Sequence, residues 1–249
     1  MSATVSAEWL ELREPADAAA RSEELAGRLV QHLGPGPHVI HDLGGGSGSM
    51  GRWLAPRLPG PQRWVVHDRD ERLLELAADQ FETRRSDITR LAPGNLAGAS
   101  LVTASALLDL LTREELERML DACAGLPLLL ALTVVGRVSL SPAEPLDARL
   151  GAAFDDHQRR GGRLGPDAVA AAVGALGEAE VFVRPSPWRL GAADAGHTAE
   201  WLRGWVAAAC EQEPALAAEA AAYEERRLAQ VAAGELRVTV DHADLLVLP

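Results

Sequence analysis

Apolar positions gather into short runs at residues 39–43, 63–67, 101–105, 128–135 and 180–183. The run at 128–135 is nearly continuous, as a strand buried on both faces requires. Helical spacing fills the intervals. Met50, Trp53 and Leu54 share one face, and residues 71–80 are amphipathic. Thr112 with Glu115 three positions later makes a capping box at a helix start. Residues 82–88 read as a strand leading into an acid. Strands alternating with helices predict an α/β chain built on a mostly parallel sheet. Beyond this alternation lie a helix over 16–33, following Glu14 and Pro15, and two helices within 193–234 broken at Pro214. Two β-like runs within 236–248 flank Asp241, His242, Ala243 and Asp244.

The junction after the first run carries the most information. It reads V-I-H-D-L-G-G-G-S-G-S-M-G from Val39 to Gly51. Glycine is required where a turn takes positive φ and where a ligand lies on the backbone. Gly46, Gly48 and Gly51 also spell G-x-G-x-x-G, the dinucleotide fingerprint. The register opposes that reading, because the first glycine should follow the strand directly, and that residue is Gly44. From Gly44 the third glycine position falls on Ser49. Asp42 at the mouth would repel a pyrophosphate and attract a cationic ligand with an amino group. Asp68 ends the second run, twenty residues beyond Gly48. A carboxylate there suits the two hydroxyls of a ribose, and a helix N-cap is its plainer alternative. Asp87 likewise reads either as a ligand contact or as a turn former.

The D-x-G-x-G-x-G layout resembles motif I of the class I S-adenosylmethionine-dependent methyltransferases. That resemblance implies a Rossmann-like sheet with an antiparallel C-terminal strand and helical additions forming a cap. It implies S-adenosyl-L-methionine as cofactor and S-adenosyl-L-homocysteine as product. Asp42, Gly44, Gly46, Gly48, Asp68 and Arg69 would hold the cofactor. Asp87 and Ile88 would grip the adenine, and Ser105 would border the cofactor at the end of the fourth strand. The family's N-terminal contact varies in position, so Arg21 as a lid residue meeting the methionine carboxylate rests on its guanidinium fork alone. The resemblance is specific over residues 38–135 and follows only element order elsewhere. Many small-molecule members have histidines after strand 4, where this chain has Leu108 and Asp109. One domain over 1–249 is expected, with a helical lid at 1–34, a cofactor core at 35–135 and substrate-side helices and closing strands at 136–249.

Charge and composition narrow the partner. The formal net charge is −12, and no basic cluster exceeds an arginine pair such as Arg84-Arg85. Polyanion binding draws on basic patches, so nucleic acid is not expected as a partner. No run of 18 apolar residues exists, so no membrane span is expected. No basic region followed by an apolar stretch opens the sequence, and there are two cysteines, Cys123 and Cys210. A cytoplasmic location, with neither a disulfide framework nor a metal site, is the expectation.

The acceptor side is less determined. Asp17 and Arg21 stand four apart, as either a surface ion pair or a lid contact. His157, Asp109 and, more weakly, His242 are the candidate bases. Trp188, Trp201 and Trp205 are candidate pocket walls. A small-molecule acceptor is expected, methylated at oxygen or nitrogen, a carboxylate included. Two rivals remain: an NAD(P)-dependent oxidoreductase on a similar sheet, and a non-catalytic relative that binds cofactor or dimerises through the Ala-rich helices at 199–232. A homodimer is therefore an open expectation.

Overall fold

The computed structural model describes residues 6–249. The apolar runs become β1 (His38–Leu43), β2 (Gln62–Asp68), β3 (Glu82–Arg85), β4 (Leu101–Ser105), β5 (Leu128–Ser141), β6 (Glu180–Pro185) and β8 (Arg237–Leu248), with a short β7 (Trp188–Leu190) between the last two. Among the described residues they form one eight-stranded sheet in the order β3-β2-β1-β4-β5-β8-β6, with β7 alongside β8. The first five strands are mutually parallel, and β8 runs antiparallel to β5, β6 and β7. The sheet is thus the Rossmann-like arrangement that the sequence predicts. The chain winds outward from β1 to β3 and then returns to place β4 on the other side of β1. That reversal opens a crevice at the carboxyl ends of β1 and β4, where open α/β sheets bind ligands.

Both faces of the sheet are buried, and the two-residue period of the strands sorts their side chains between two cores. Leu101, Leu129 and Ala131 join Leu25, Leu29, Met50, Trp53 and Leu54, which come from α2 (Glu23–Leu33) and α3 (Ser49–Leu54). Val102, Ala104, Leu128 and Leu130 face the opposite core, with α5 (Arg113–Ala122) and α7 (Ala168–Ala175). The short α4 (Glu71–Ala77) packs Leu74 and Ala77 on Val66. A third core belongs to the cap. There α6 (Pro145–Gln158), α8 (Ala195–Gln212) and α9 (Ala217–Ala232) enclose Leu150, Trp205, Leu216 and Tyr223 against Leu140, Leu190 and Val238 of the sheet's extension. No helix among the described residues is long and apolar enough to cross a membrane.

Three elements depart from the sequence expectation. The helix over 16–33 is instead two helices, α1 (Ala7–Ala20) and α2, and Pro15 lies inside the first rather than before it. Arg21 leaves helical geometry (φ −56°, ψ 141°) and Ser22 caps α2, its Oγ accepting from Leu25 N at 3.3 Å. The two runs expected within 236–248 are one strand, and β5 continues to Ser141 instead of ending at 135. Register shifts between Leu130/Thr133 and Val134/Val138 accommodate this long pairing. β7 matches none of the runs named in the sequence and pairs with β8.

Asp244 explains both the helix break and the first shift. Its Oδ2 accepts from Ser22 N and its Oδ1 from Leu132 N, each at 2.8 Å. Leu132 has φ +56°, a costly value for a branched residue unless its surroundings fix it. Asp244 is 1% exposed, and its removal leaves the buried Leu132 amide and the part-buried Ser22 amide without this acceptor. Asp244→Ala should therefore lower stability by about 2–4 kcal/mol, and Asp244→Asn, which keeps one acceptor, by about half as much. Denaturant unfolding checks this, and a loss below about 0.5 kcal/mol for the alanine variant would contradict the assignment.

Candidate active site

Gly44 follows β1 directly, as the register argument requires, and Gly44, Gly46 and Gly48 all take positive φ. Gly45 is a glycine for a different reason. A Cβ there would overlap the Asp42 carboxylate and lie 2.8 Å from Val66 Cγ1. The loop therefore presses directly on a buried acid. Asp42 is fully buried; its Oδ1 accepts from Thr103 Oγ1 at 2.7 Å, and its Oδ2 has no partner. Desolvation pushes its pKa up to about 7, against the opposing effects of the Thr103 hydrogen bond and the Arg21 charge.

Arg21 lies close enough to this acid for their charges to act on each other. Its Nη2 donates to Ser49 Oγ (3.2 Å) at the start of α3 and to Ser105 Oγ (3.1 Å) at the end of β4. Its Nε has no partner, and the residue is 3% exposed. The surface pair with Asp17 is not formed. Arg13, four residues before Asp17, takes that carboxylate instead, with Nε 3.0 Å from Oδ2. Asp68 Oδ2 accepts from Gly46 N at 3.0 Å and its Oδ1 from Asp70 N at 2.9 Å. The helix cap is Asp70, whose Oδ1 accepts from Arg72 N, so the plainer alternative for Asp68 belongs to its neighbour. Asp68 braces the loop and keeps further lone pairs for a ligand. Behind it His41 Nδ1 meets His67 Nε2 at 2.8 Å, and His67 Nδ1 meets Ser86 Oγ at 3.0 Å, which ties β1, β2 and the end of β3 together.

Asp87 is exposed and caps a single turn, its Oδ1 accepting from Thr89 N (3.0 Å) and Thr89 Oγ1 (2.7 Å). Those bonds, first the side-chain one, hold its pKa below the ordinary value, and the Arg69 charge assists. Ile88 packs half-buried against the core beside Leu91 and Leu96. The turn-forming alternative thus describes the local structure of Asp87. Leu10 of α1 lies 3.4 Å from the position a Cβ on Gly46 would take, so α1 crosses the glycine loop as a cover.

Under α1 the chain assembles a second group of polar residues. Trp188, 4% exposed, donates Nε1–H to Asp17 Oδ1 at 2.9 Å. The Arg13 guanidinium stands 4.7 Å from its ring centroid, His197 4.6 Å and His242 4.9 Å. Both ring nitrogens of His197 and Nδ1 of His242 are buried without partners among the described residues. Burial lowers these imidazoles to about 4 and about 3, and the Arg13 charge acts in the same direction on both. Asp109, in the turn after β4, has an unpartnered buried Oδ1. Burial raises its carboxyl to about 6, opposed by a backbone hydrogen bond and by the Arg13 and Arg163 charges. His197 was absent from the sequence candidates. The available signal was its spacing, since it precedes Trp201 and Trp205 by four and eight residues on one helical face.

His157, a candidate base, and Trp188, a candidate pocket wall, are not brought together. His157 Nε2 lies 3.4 Å from Glu211 Oε2, near the far end of α8. Glu211 is fourteen residues beyond His197 in the sequence, roughly 21 Å along the helix. Trp201 and Trp205 stack at 5.3 Å and, with Trp9, Phe154, Glu200 and Gly204, line a cavity of about 260 Å³.

The sequence matches no family model and no curated protein sequence. Solved structures do match. A mycolic acid cyclopropane synthase complexed with S-adenosylhomocysteine is 14% identical, aligned over 97% of this chain and 94% of its own, with a TM-score of 0.50. A phosphoethanolamine N-methyltransferase of Haemonchus contortus is 12% identical over 99% of this chain, with a TM-score of 0.48. This chain spans only 61% of that protein's length. A geranyl diphosphate C-methyltransferase of Streptomyces coelicolor is 9% identical over 91% of this chain and 76% of its own, with a TM-score of 0.45. At these identities the likeness is one of fold. The chain has the Rossmann-like fold of class I methyltransferases.

The buried acid of the loop carries a pH signature. The folded chain holds the Asp42 proton more tightly than the unfolded chain, so this group favours folding below about pH 4 and loses that contribution as pH rises through about 7. Asp42→Asn should remove the loss. The stability of wild type relative to the variant, measured by denaturant at pH 5 and pH 8, should fall by about 2–3 kcal/mol across that interval. A difference independent of pH would show that Asp42 is not desolvated.

Proposed function

We propose that this chain is an S-adenosylmethionine-dependent methyltransferase acting on a small molecule. One observation carries the reading. At the carboxyl ends of β1 and β4, a buried acid, Asp42, whose Oδ2 has no partner among the described residues, and a buried guanidinium, Arg21, whose Nε–H has none either, feel each other's charge beside a glycine loop. Complementary charges held unsatisfied at such a point suit a ligand that brings both an ammonium and a carboxylate, as an amino-acid end does. A dinucleotide would instead bring phosphates against Asp42. Asp68 would take the ribose hydroxyls, and Asp87 with Ile88 the adenine edge. Arg69 and Ser105 lie at the same edge of the sheet.

The bound cofactor would supply an electrophilic methyl group on a sulfonium. The protein's part is alignment, exclusion of water by α1, and removal of a proton where the acceptor has one. Asp109 fits that last role best. It lies in the turn after β4, its Oδ1 has no partner among the described residues, and with a pKa of about 6 it is ionised at neutral pH and still basic. His157, beside Glu211, is not needed.

Two measurements test this. Calorimetry should show S-adenosylhomocysteine binding to the wild type. Gly46→Val, strained at φ +51° and facing Leu10, should abolish it. Asp68→Ala should cost more affinity than Asp87→Ala, roughly 1.5–3 kcal/mol, because it also frees the Gly46 amide. Unchanged binding in Gly46→Val would show the loop to be misread. For an acceptor that bears a proton, Asp109→Asn should lower kcat by roughly 10²–10⁴ with cofactor affinity near wild type, and wild-type activity should fall as pH drops through about 6. Full turnover in Asp109→Asn would remove it from the chemistry.

A further inference from the structure

The chamber under α1 has more polar capacity than the fold uses. Three ring nitrogens in it, His197 Nδ1 and Nε2 and His242 Nδ1, are buried without partners among the described residues, as is Asp109 Oδ1 in the turn after β4. The Trp188 ring meets both imidazoles and the Arg13 guanidinium, and the Arg13 charge acts on both histidines and on Asp109. Apolar residues in these positions would avoid the desolvation cost, so the arrangement points to a ligand that supplies the missing hydrogen bonds. Trp9 joins this chamber to the aromatic cavity. Its ring lies 5.3 Å from His197 and 6.3 Å from Trp188, and it also lines the cavity with Phe154, Trp201 and Trp205.

We propose that chamber and cavity together form the acceptor site, and that the acceptor is a neutral aromatic hydroxyl compound, a phenol of one or two rings, rather than an acid or a phosphate ester. This rests on the methyltransferase reading above. The charge balance of the chamber selects neutrality. Arg13 Nε and Nη2 already donate to Asp17, and its guanidinium stands over Trp188. Arg163 lies near Asp109 and offsets its charge. An anionic head group would meet Asp17 and Asp109 with both cations already matched, and an uncompensated buried charge is strongly unfavourable. The His197 imidazole, held neutral by burial, offers one donor and one acceptor, which is what a hydroxyl needs, and His242 adds Nδ1 beside it. Four aromatic side chains around a cavity of about 260 Å³ suit a flat ring body.

In the reaction the hydroxyl oxygen's electron pair forms the bond to the methyl carbon. The methyl–sulfur bond breaks with its pair going to sulfur, and the hydroxyl proton passes to Asp109 and on to solvent. His197 and His242 hold the hydroxyl in line.

The test uses three probes of one shape on the full chain, with S-adenosylhomocysteine saturating: 2-naphthol, 2-naphthoate and 2-naphthyl phosphate. Calorimetry should show 2-naphthol binding at least tenfold tighter than either anion. His197→Leu should weaken 2-naphthol at least tenfold while Tm holds or rises, because a buried imidazole without partners has been replaced by a hydrocarbon. A purely structural role for His197 would lower Tm and leave the naphthol preference intact. Trp9→Ala, at a half-buried position, should weaken all three probes together. S-adenosylhomocysteine binding with no preference for the naphthol, or with tighter binding of an anion, overturns the acceptor assignment alone. Absence of S-adenosylhomocysteine binding overturns the underlying reading, and the acceptor assignment with it.

Discussion

Arg21 is a cation held almost wholly out of water at the point where the sheet reverses direction. Such a charge is tolerable only with anions and hydrogen-bond acceptors arranged around it. The structure provides them from distant parts of the chain: the charges of Asp17, Asp42 and Asp244, and the hydroxyls of Ser49 and Ser105. Meeting that demand fixes much else. α1 must end at Ala20 so that Arg21 can turn inward. α2 must start under Asp244, which in turn holds the Leu132 amide where β5 departs from regular pairing. Even so, burial still lowers the Arg21 pKa more than these charges raise it. The deficit is what an incoming carboxylate would repair.

The three cores divide the work. Two of them flank the sheet and make a rigid floor, with consecutive residues of β4 and β5 sent to opposite sides. The third ties the cap to the sheet's outer extension. Arg227, fully buried, donates Nη2–H to Asp147 Oδ1 at 2.6 Å and Nη1–H to the Pro142 carbonyl at 2.7 Å, and Tyr223 donates to the same Asp147 oxygen. α9 is thereby bolted to the start of α6. α8 is held between them, so the His197, Trp201 and Trp205 face is presented by a braced helix, not by a loop.

Sequence pattern revealed the floor and the loop, because both are written in local signals. Alternating apolar runs mark strands, Thr112 with Glu115 marks the α5 start, and the Asp42–Gly48 spacing marks the turn. The eighth strand escaped notice because three residues give no period, and Trp188–Leu190 is a strand only through its pairing with Val238–Val240. Arg13 and Asp17 were separable from Arg21 only by knowing that the helix breaks at residue 21, and that break answers to Asp244. His157 looked chemical in isolation, yet helical geometry carries it to the Glu211 end of α8. His197 shows the reverse: an ordinary position in a helical stripe acquires interest because Trp188 and His242 arrive from elsewhere.

The hydrogen bonds that close the site span the whole chain. Ser22 meets Asp244 across 222 residues, and Asp17 meets Trp188 across 171. Contacts of such separation are slow to form, because the chain entropy must be spent before any of them rewards it. During synthesis α1 has no complete seat until β7 and β8 have been made, more than 160 residues later. Leu10 and Trp9 lack that seat for the interval. The cover over the glycine loop is thus translated long before it can dock, and the enclosed crevice waits on the far strands.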